Sequence, residues 1–251
     1  MPILTDHRGA TTMLTMAMPR GNAINFAFIE AMNAALDQVE RTPAGAVVLA
    51  SQGKAFCGGL DLIEAYDYDR PTLRGFVDGF EGLFLRLFML GRPLVAAVAG
   101  HAIAGGCILA MTADVRVFAA GSWLISLNEV ELGIPLPSGA LEIARAALPP
   151  LAWTDWLLEG RRFSPAEASA AQVAHALVDG APLERALERA ARLAARSSAP
   201  QAAIKAALRA PAVARARADA DASRQRFVEA WYAPLAREKI GAVRAALLAK
   251  R

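Results

Sequence analysis

Three short stretches of the sequence carry residues that could do chemistry. Residues 53–62 and residues 92–107 each join a short apolar run to glycines and then to a helical pattern. Glycines let a backbone approach a ligand closely, and amides at the start of a helix point outward as hydrogen-bond donors. Residues 127–135 place Glu129 and Glu131 in an otherwise apolar setting. Such neighbours disfavour the charged form of Glu129 and raise its basicity, which predicts a base suited to proton abstraction.

Other residues in these stretches support weaker hypotheses. Glu131 would share a face with Glu129 in an extended segment but not in a helix, and a supporting or surface role is favoured over a direct one. His101 lies between an apolar run and a glycine turn, where packing is the favoured role. Cys57 and Cys107 have no base near them in the sequence, so nucleophilic thiols are not expected. Glu129 itself could instead cap a helix or form a salt bridge.

Alternating strands and helices must position these stretches. Short apolar runs predict strands at residues 12–17, 46–50, 94–99 and 114–119. Helical spacing predicts helices from Asn25, after the glycine loop through about Tyr66, across residues 76–90 and from residue 104. This alternation predicts an α/β fold. Beyond Gly160 strand signals fade, and the pattern predicts helices over residues 164–170, 183–197 and 201–249, with Pro182, Pro200, Pro211 and Pro234 as helix starts or breaks.

Composition limits the class of protein. The 251 residues are 55% hydrophobic and 20% charged, which excludes a disordered chain and is enough for one large domain. Two cysteines cannot form a disulfide scaffold, and no signal peptide is apparent, so a cytoplasmic protein is expected. Residues 93–113 carry no fixed charge, but their glycines and alanines favour a buried strand, turn and helix over a membrane span.

Charge is unevenly distributed along the chain. The net charge is +3, yet residues 201–251 carry eleven lysines and arginines against four acidic residues. A basic segment could meet nucleic acid, a polyphosphorylated cofactor or an acidic neighbouring subunit. No nucleic-acid-binding signature accompanies it, so no nucleic-acid partner is expected, and a solvated helical face is favoured.

Four segments in order resemble the crotonase superfamily, which includes enoyl-CoA hydratases and isomerases. NAIN at residues 22–25 is similar to the family's early CoA-contacting turn. AFCGGLDL and RPLVAAVAGHAIAGGC resemble its two oxyanion-loop segments, and NEVELGIP resembles its catalytic-carboxylate segment. The resemblance covers essentially the whole chain. It implies a ββα spiral over residues 1–195 and a C-terminal helical trimerisation region over residues 196–251, in a homotrimer or dimer of trimers.

The same resemblance implies how the site works. The amides of Leu60 and Gly105 would form an oxyanion hole for a thioester carbonyl, and Glu129 would be the catalytic carboxylate. Removal of a proton next to a thioester builds negative charge on that oxygen, which two fixed donors stabilise. A coenzyme A thioester would be the substrate, with no permanently bound cofactor and no metal. The implied CoA-binding residues are Ala23, Ile24, Lys54, Gly58, Asp61 and Lys250.

One departure from the family pattern selects among activities. Hydratases of the family use two glutamates to add water, and the first of those positions is Ile108 here. The second position matches Glu129, and the Asn128-Glu129 pair resembles the family's 3-enoyl to 2-enoyl-CoA isomerases. A single base that shuttles a proton suits isomerisation. Two alternatives stay open: hydration or another CoA-thioester reaction, and a non-catalytic acyl-CoA-binding protein.

Overall fold

Two sheets of unequal size, a mixed one and a parallel one, organise the chain. The computed structural model describes residues 2–42 and 45–249. The strands in these ranges are β1 (Ile3–Arg8), β2 (Thr11–Met16), β3 (Ala46–Ser51), β4 (Ala55–Cys57), β5 (Leu94–Val98), β6 (His101–Ile103), β7 (Val115–Ala119), β8 (Ile125–Ser126) and β9 (Ala176–Val178). The larger sheet has the order β1-β2-β3-β5-β7-β9, and the smaller has the order β4-β6-β8. The β1–β2 pair is antiparallel, and the other pairs are parallel.

Helices follow these strands and cover them. They are α1 (Pro19–Asn22), α2 (Phe26–Arg41), α3 (Leu62–Ala65), α4 (Arg70–Phe88), α5 (Gly105–Met111), α6 (Glu129–Leu132), α7 (Ser138–Ala147), α8 (Pro165–Ala170), α9 (Leu183–Ala194), α10 (Ser198–Ala218), α11 (Ala220–Trp231) and α12 (Pro234–Leu248). A 3-10 turn at Pro150–Ala152 and a π turn at Thr154–Leu158 lie between α7 and α8. None of the helices in the described ranges is long and apolar enough to cross a membrane.

A strand–strand–helix unit occurs three times. β3, β5 and β7 belong to the large sheet, and each is followed by one strand of the small sheet and then by a helix: β4 and α3, β6 and α5, β8 and α6. β3, β5 and β7 are buried almost throughout, as their continuous apolar runs predict for strands covered on both faces. The predicted α/β fold built from ββα units is confirmed.

The larger core lies between the sheets and helices α2, α4, α5 and α7. Its fully buried aromatic side chains include Phe28, Phe76, Phe84 and Trp156. A smaller core packs α9 against the opposite face of the large sheet, through Ala186 and Ala190. Because both faces of the sheet are covered, the strand ends are the part of the sheet left for a site.

Several sequence predictions about the elements were wrong. Strands β4 and β6 occupy segments that the sequence analysis assigns to a glycine loop and a glycine turn, and β8 lies where no element is predicted; strands of two or three residues carry no usable periodicity. Beyond Gly160 the strand β9 pairs with β7, although strand signals fade there. Pro211 does not break its helix, because α10 runs through it and buries Ala212, Val213 and Ala216 beyond it. That packing offsets the roughly 3 kcal/mol cost of an interior proline.

The C-terminal helices pack onto the rest of their own chain. α10 and α11 contact α7, α11 also contacts α4, and α12 lies on α3 and α6. The division predicted at residue 195 falls between α9 and α10. That domain boundary and the role of the C-terminal region in trimerisation stay predictions.

Candidate active site

The small sheet brings the three chemistry-bearing stretches to one place. β4, β6 and β8 are parallel neighbours, so their carboxyl ends meet at the same edge. β4 leads into the loop with Gly58 and Leu60, β6 leads into Ala104 and Gly105, and β8 leads into Glu129. The ββα repeat therefore assembles the site from segments far apart in sequence.

These segments line one apolar cavity of about 250 Å³. Gly58, Leu60, Ala104, Ile108 and Glu129 all border it. The rest of the lining consists mainly of aliphatic and aromatic side chains, among them Phe76, Phe80, Leu132, Ile134, Phe227 and Leu247. Among the described residues that line the cavity, Glu129 alone is ionisable.

The amides of Leu60 and Gly105 lie near each other and are free to donate. Within residues 2–42 and 45–249, neither amide donates to a backbone carbonyl. A methyl group placed on Gly59 would stand 3.3 Å from the Gly105 nitrogen, and a methyl group on Gly105 would stand 3.3 Å from Leu60 Cδ1. The Gly105 amide also opens helix α5, where the helix dipole favours negative charge. Two free donors beside one carboxylate can stabilise an oxyanion during proton transfer.

Glycines allow the two loops to interlock. A methyl group on Gly106 would lie 2.7 Å from the carbonyl carbon of Cys57, and one on Gly59 would lie 2.7 Å from the carbonyl oxygen of Ile103. A methyl group on Gly100 would lie 2.9 Å from the carbonyl carbon of Lys54. The sequence associated these glycines with close approach to a ligand. The structure shows that they permit close approach between the two backbones that hold the amides.

Glu129 is held by the first turn after the small sheet. Glu129 is the first residue of α6. The residue that follows the helix, Gly133, has a left-handed backbone conformation with φ 76° and ψ 24°. The strand before α6, β8, is fixed by two backbone hydrogen bonds of 2.9 Å between Ile125 and Phe163. Burial raises the pKa of the Glu129 carboxyl to about 7, although a hydrogen bond to its own backbone lowers it somewhat. Its Oε2 atom is buried and has no partner among the described residues, so the carboxylate is available to a substrate proton.

Neighbours of Glu129 do not supply a second acid or base. Ile108 lines the same cavity and is fully buried. Glu131 lies in the same helical turn and pairs with Arg162 at the surface, which agrees with the supporting or surface role favoured for it. Asn128 lines the cavity, and its Nδ2 atom lies 3.5 Å from a carboxylate oxygen of Glu131.

The histidine and cysteines near the loops have structural contacts. His101 is exposed, and its Nδ1 atom accepts a 3.1 Å hydrogen bond from the amide of Leu124. Cys57 is fully buried and donates to the carbonyl oxygen of Asn22 at 3.1 Å. Burial raises the pKa of the Cys57 thiol to about 12, and it also raises the pKa of Cys107. Neither thiol is poised as a nucleophile.

The predicted CoA-binding residues surround the Leu60 loop in different ways. Ile24 donates to the Gly59 carbonyl at 2.8 Å and accepts from the Asp61 amide at 2.9 Å, which fixes the loop next to Ala23. Gly58 borders the cavity, and the Lys54 side chain is exposed. Asp61 is buried. Lys250 lies outside the described residues. Direct contacts of these six residues with CoA stay predictions.

Some residues that shape the site were missed by the sequence analysis. Arg20 pairs with the buried Asp61, and Asn22, with φ 59°, donates to the Phe56 carbonyl at 3.1 Å. The residues Pro19, Arg20 and Gly21 are typical of a turn, but their types do not indicate these contacts. Phe227 of α11 and Leu247 of α12 cover the cavity, and no local pattern indicates which surface a helix will cover.

The buried carboxyl of Glu129 makes a prediction about stability. The pKa is about 7 in the folded chain and near the ordinary 4.5 in the unfolded one, so the folded state binds more protons between those values. The free energy of unfolding should therefore fall as pH rises through that window, by up to about 3 kcal/mol, because one pKa unit corresponds to about 1.36 kcal/mol. Urea unfolding of wild type and Glu129→Gln at a series of pH values measures it. Parallel pH profiles for the two proteins would contradict the assignment.

Three kinds of comparison with known proteins identify the family of this chain and match its fold. Residues 7–239 match the family described as Enoyl-CoA hydratase/isomerase. Enoyl-CoA hydratase EchA19 of Mycobacterium tuberculosis is 33% identical over 193 residues, covering 73% of this chain and 71% of that protein. Carnitinyl-CoA dehydratase of Proteus mirabilis is 30% identical over 178 residues, covering 70% of this chain and 67% of the dehydratase. The crystal structure of human mitochondrial delta3-delta2-enoyl-CoA isomerase matches with a TM-score of 0.92 at 26% identity, covering 100% of both chains.

Proposed function

This chain belongs to the enoyl-CoA hydratase/isomerase family, and from that premise we propose that it converts 3-enoyl-CoA to 2-enoyl-CoA with Glu129 as its single base. One observation carries the proposal: Glu129 is the one ionisable side chain among the described residues that line the apolar cavity bordered by Leu60 and Ala104. An acyl-CoA thioester fits the family and this cavity.

The proposed reaction moves one proton between two carbons. The Glu129 carboxylate takes a proton from C2 of the acyl chain, the electrons of that C–H bond form a C1–C2 double bond, and the carbonyl π electrons move onto the thioester oxygen. The C3–C4 π electrons then accept the proton at C4 from the Glu129 carboxylic acid, the C1–C2 π electrons shift to form the C2–C3 double bond, and the thioester carbonyl is restored. Negative charge on the thioester oxygen in the intermediate accepts hydrogen bonds from the amides of Leu60 and Gly105. Glu129 ends in its starting state, so no net proton is consumed.

Burial of Glu129 favours both of its steps, the removal of a proton from C2 and the return of that proton to C4. A pKa of about 7 keeps a substantial fraction of the carboxylate ionised at neutral pH and makes it a stronger base than an exposed glutamate. The same pKa keeps its conjugate acid able to return the proton. The apolar lining excludes water from the charged intermediate, which strengthens the two amide hydrogen bonds.

Hydration is the second candidate, because similar proteins bear the names hydratase and dehydratase. Addition of water needs a group to hold and deprotonate it while the α-carbon receives a proton. Ile108 occupies the position where the family resemblance places the second glutamate, and an isoleucine side chain offers no acceptor. Single-base isomerisation therefore fits the cavity better. The third candidate, a non-catalytic acyl-CoA-binding protein, would have no need for a buried carboxyl with a raised pKa, such as that of Glu129.

A paired assay tests the proposal. The wild-type protein should isomerise 3-enoyl-CoA and hydrate 2-enoyl-CoA far more slowly, because a single carboxylate can shuttle a proton but the cavity supplies no second group for water. The two rates are measured on the same preparation by the absorbance of the conjugated 2-enoyl thioester. Hydration faster than isomerisation would favour the second candidate, and the absence of both reactions with retained acyl-CoA binding would favour the third.

Several finer points belong to the same proposal. Ala23, Ile24, Lys54, Gly58 and Asp61 are proposed to lie along bound CoA, with Lys250 near its phosphates. The CoA thioester is proposed as the substrate and not as a resident cofactor. Assembly as a homotrimer or a dimer of trimers is proposed from the family resemblance and is measurable by sedimentation velocity.

A further inference from the structure

A second cavity lies at the opposite end of the helices that build the candidate active site. Its volume is about 530 Å³, and it is bordered by Phe88 near the end of α4 and by Met111 at the end of α5. The active-site cavity is bordered by Phe80 of the same α4 helix, eight residues earlier. At 1.5 Å per residue this separates the two cavities by about 12 Å along α4. The second cavity is therefore distinct from the proposed acyl site.

Positive charge dominates the wall of this second cavity. The ionisable side chains that line it are Arg116, Arg145, Arg209, Arg215, His175 and Asp114. Asp114 is already engaged, because Lys205 and Arg209 each lie 2.7 Å from one of its oxygens. Glu142 lies outside the lining and pairs with Arg145 at 2.8 Å and with Arg215 at 2.6 Å. Four arginines thus line a space that contains one carboxylate, Asp114, and both Asp114 and the neighbouring Glu142 are already paired.

Arg116 is the most deeply buried of these arginines. It projects from β7 and is only 6% exposed. Its guanidinium donates to the carbonyl oxygens of Val173 at 2.6 Å and Ala113 at 3.0 Å. The nearby carboxylate, Asp114, is shared with Lys205 and Arg209, and burial still lowers the pKa of Arg116 to about 10. Burying the Arg116 charge is therefore costly, and an anion in the cavity would offset that cost.

Two neutral side chains add hydrogen-bond donors. His175 Nδ1 accepts a 3.2 Å hydrogen bond from the Arg116 amide, so the neutral ring carries its hydrogen on Nε2. Burial, and then the charges of Arg116 and Arg189, lower the pKa of His175 to about 4, so it is neutral at pH 7. Trp153 lines the cavity, and its Nε1 atom is buried without an acceptor among the described residues. Trp156 and Trp231 also bury indole N–H groups without an acceptor among the described residues, but of the three only Trp153 lines this cavity, where a bound acceptor would satisfy its N–H.

We propose that this second cavity binds a small phosphate-bearing anion. Guanidinium groups match phosphate oxygens with paired hydrogen bonds, and a phosphate carries enough charge and acceptor atoms for several arginines together with the Trp153 and Arg116 donors. A monocarboxylate would supply one charge to a wall with several. The site draws Arg116 and Arg145 from the ββα core and Arg209 and Arg215 from the basic C-terminal segment. The proposed site thus gives the basic C-terminal segment a binding role in addition to that of a solvated helical face.

Calorimetric titration with inorganic pyrophosphate at low salt tests the site. Wild type should bind pyrophosphate, and Trp153→Phe and Arg145→Gln should each bind it about ten- to a hundredfold more weakly, since a hydrogen bond to a charged group contributes about 1.5–3 kcal/mol. Trp153→Phe keeps the aromatic ring and removes the N–H donor, and Arg145 is partly exposed, so both variants should fold. Arg185→Gln is the matched control, because Arg185 lies on α9, is exposed and does not line the cavity. It should bind like wild type.

Titrations with other ligands distinguish a nucleotide from a free phosphate, and a phosphate from a carboxylate. Tighter binding of ADP than of pyrophosphate would identify a nucleotide as the occupant, and equal or weaker binding would identify a free phosphate; both support a phosphate site. Citrate binding as tightly as pyrophosphate would overturn the phosphate chemistry. The site itself is overturned if wild type does not bind, if the cavity variants bind like Arg185→Gln, or if Arg145→Gln alters only the sedimentation of the assembly. Thermal midpoints of all variants verify that each is folded during the titration.

Discussion

Glu129→Gln should lower kcat/KM for isomerisation of 3-enoyl-CoA by about 10²–10⁴, the scale of losing a general base. Glutamine keeps the shape of the side chain in the apolar cavity but cannot accept the C2 proton. The amides of Leu60 and Gly105 remain in place, so binding of 2-enoyl-CoA should change little. Stopped-flow or steady-state absorbance of the conjugated product measures the rate, and calorimetry measures the binding.

Glu131→Gln is the matched control for that experiment. Glu131 lies in the same helical turn as Glu129, but it pairs with Arg162 at the surface, so its loss should leave the rate nearly unchanged. The wild-type rate should also fall about tenfold per pH unit below about pH 7, where the Glu129 carboxyl becomes protonated. Full isomerase activity in Glu129→Gln, or a large loss in Glu131→Gln, would contradict the single-base mechanism.

Gly106→Ala should lower kcat/KM by at least about 10², the loss seen when one oxyanion donor is displaced. The added methyl group would lie 2.7 Å from the carbonyl carbon of Cys57, where two backbones meet and neither can yield locally. The strain should separate the β4 loop from the start of α5 and move the Leu60 amide away from the Gly105 amide. Such overpacking should also lower the free energy of unfolding by about 1–3 kcal/mol.

Gly75→Ala provides the comparison for this substitution. Gly75 is exposed in α4, and a methyl group there would meet nothing within 4 Å. Because alanine favours a helix over glycine by about 1 kcal/mol, this variant should be as stable as wild type or more so, with full activity. Urea unfolding and the isomerase assay on both variants distinguish a displaced donor from general unfolding. A folded Gly106→Ala protein with the wild-type rate would show that the spacing of the two loops does not set the oxyanion site.

Local sequence patterns determined the elements that are long enough to show them. The apolar runs of β3, β5 and β7 predict buried strands, and the spacing of apolar residues after Asn25 predicts α2, which that asparagine caps. The types of Glu129 and Ile108 are also local facts, and together with the family resemblance they are the basis on which isomerisation is proposed over hydration. The family resemblance rests on the same kind of information, because each of its four segments is contiguous.

Only the tertiary structure decided how those parts become a site. The two- and three-residue strands β4, β6 and β8 are formed by pairing with one another, and a segment that short has no periodicity from which to predict it. That pairing brings the loops that follow the three strands, which carry Leu60, Gly105 and Glu129, to the same edge of the small sheet. The pKa of Glu129 depends on its burial, and the cavity that it borders is lined by residues as distant in sequence as Phe227 and Leu247, so burial here is a property of long-range packing. The sequence thus determines which groups can react, while packing determines their distances, their desolvation and therefore their basicity.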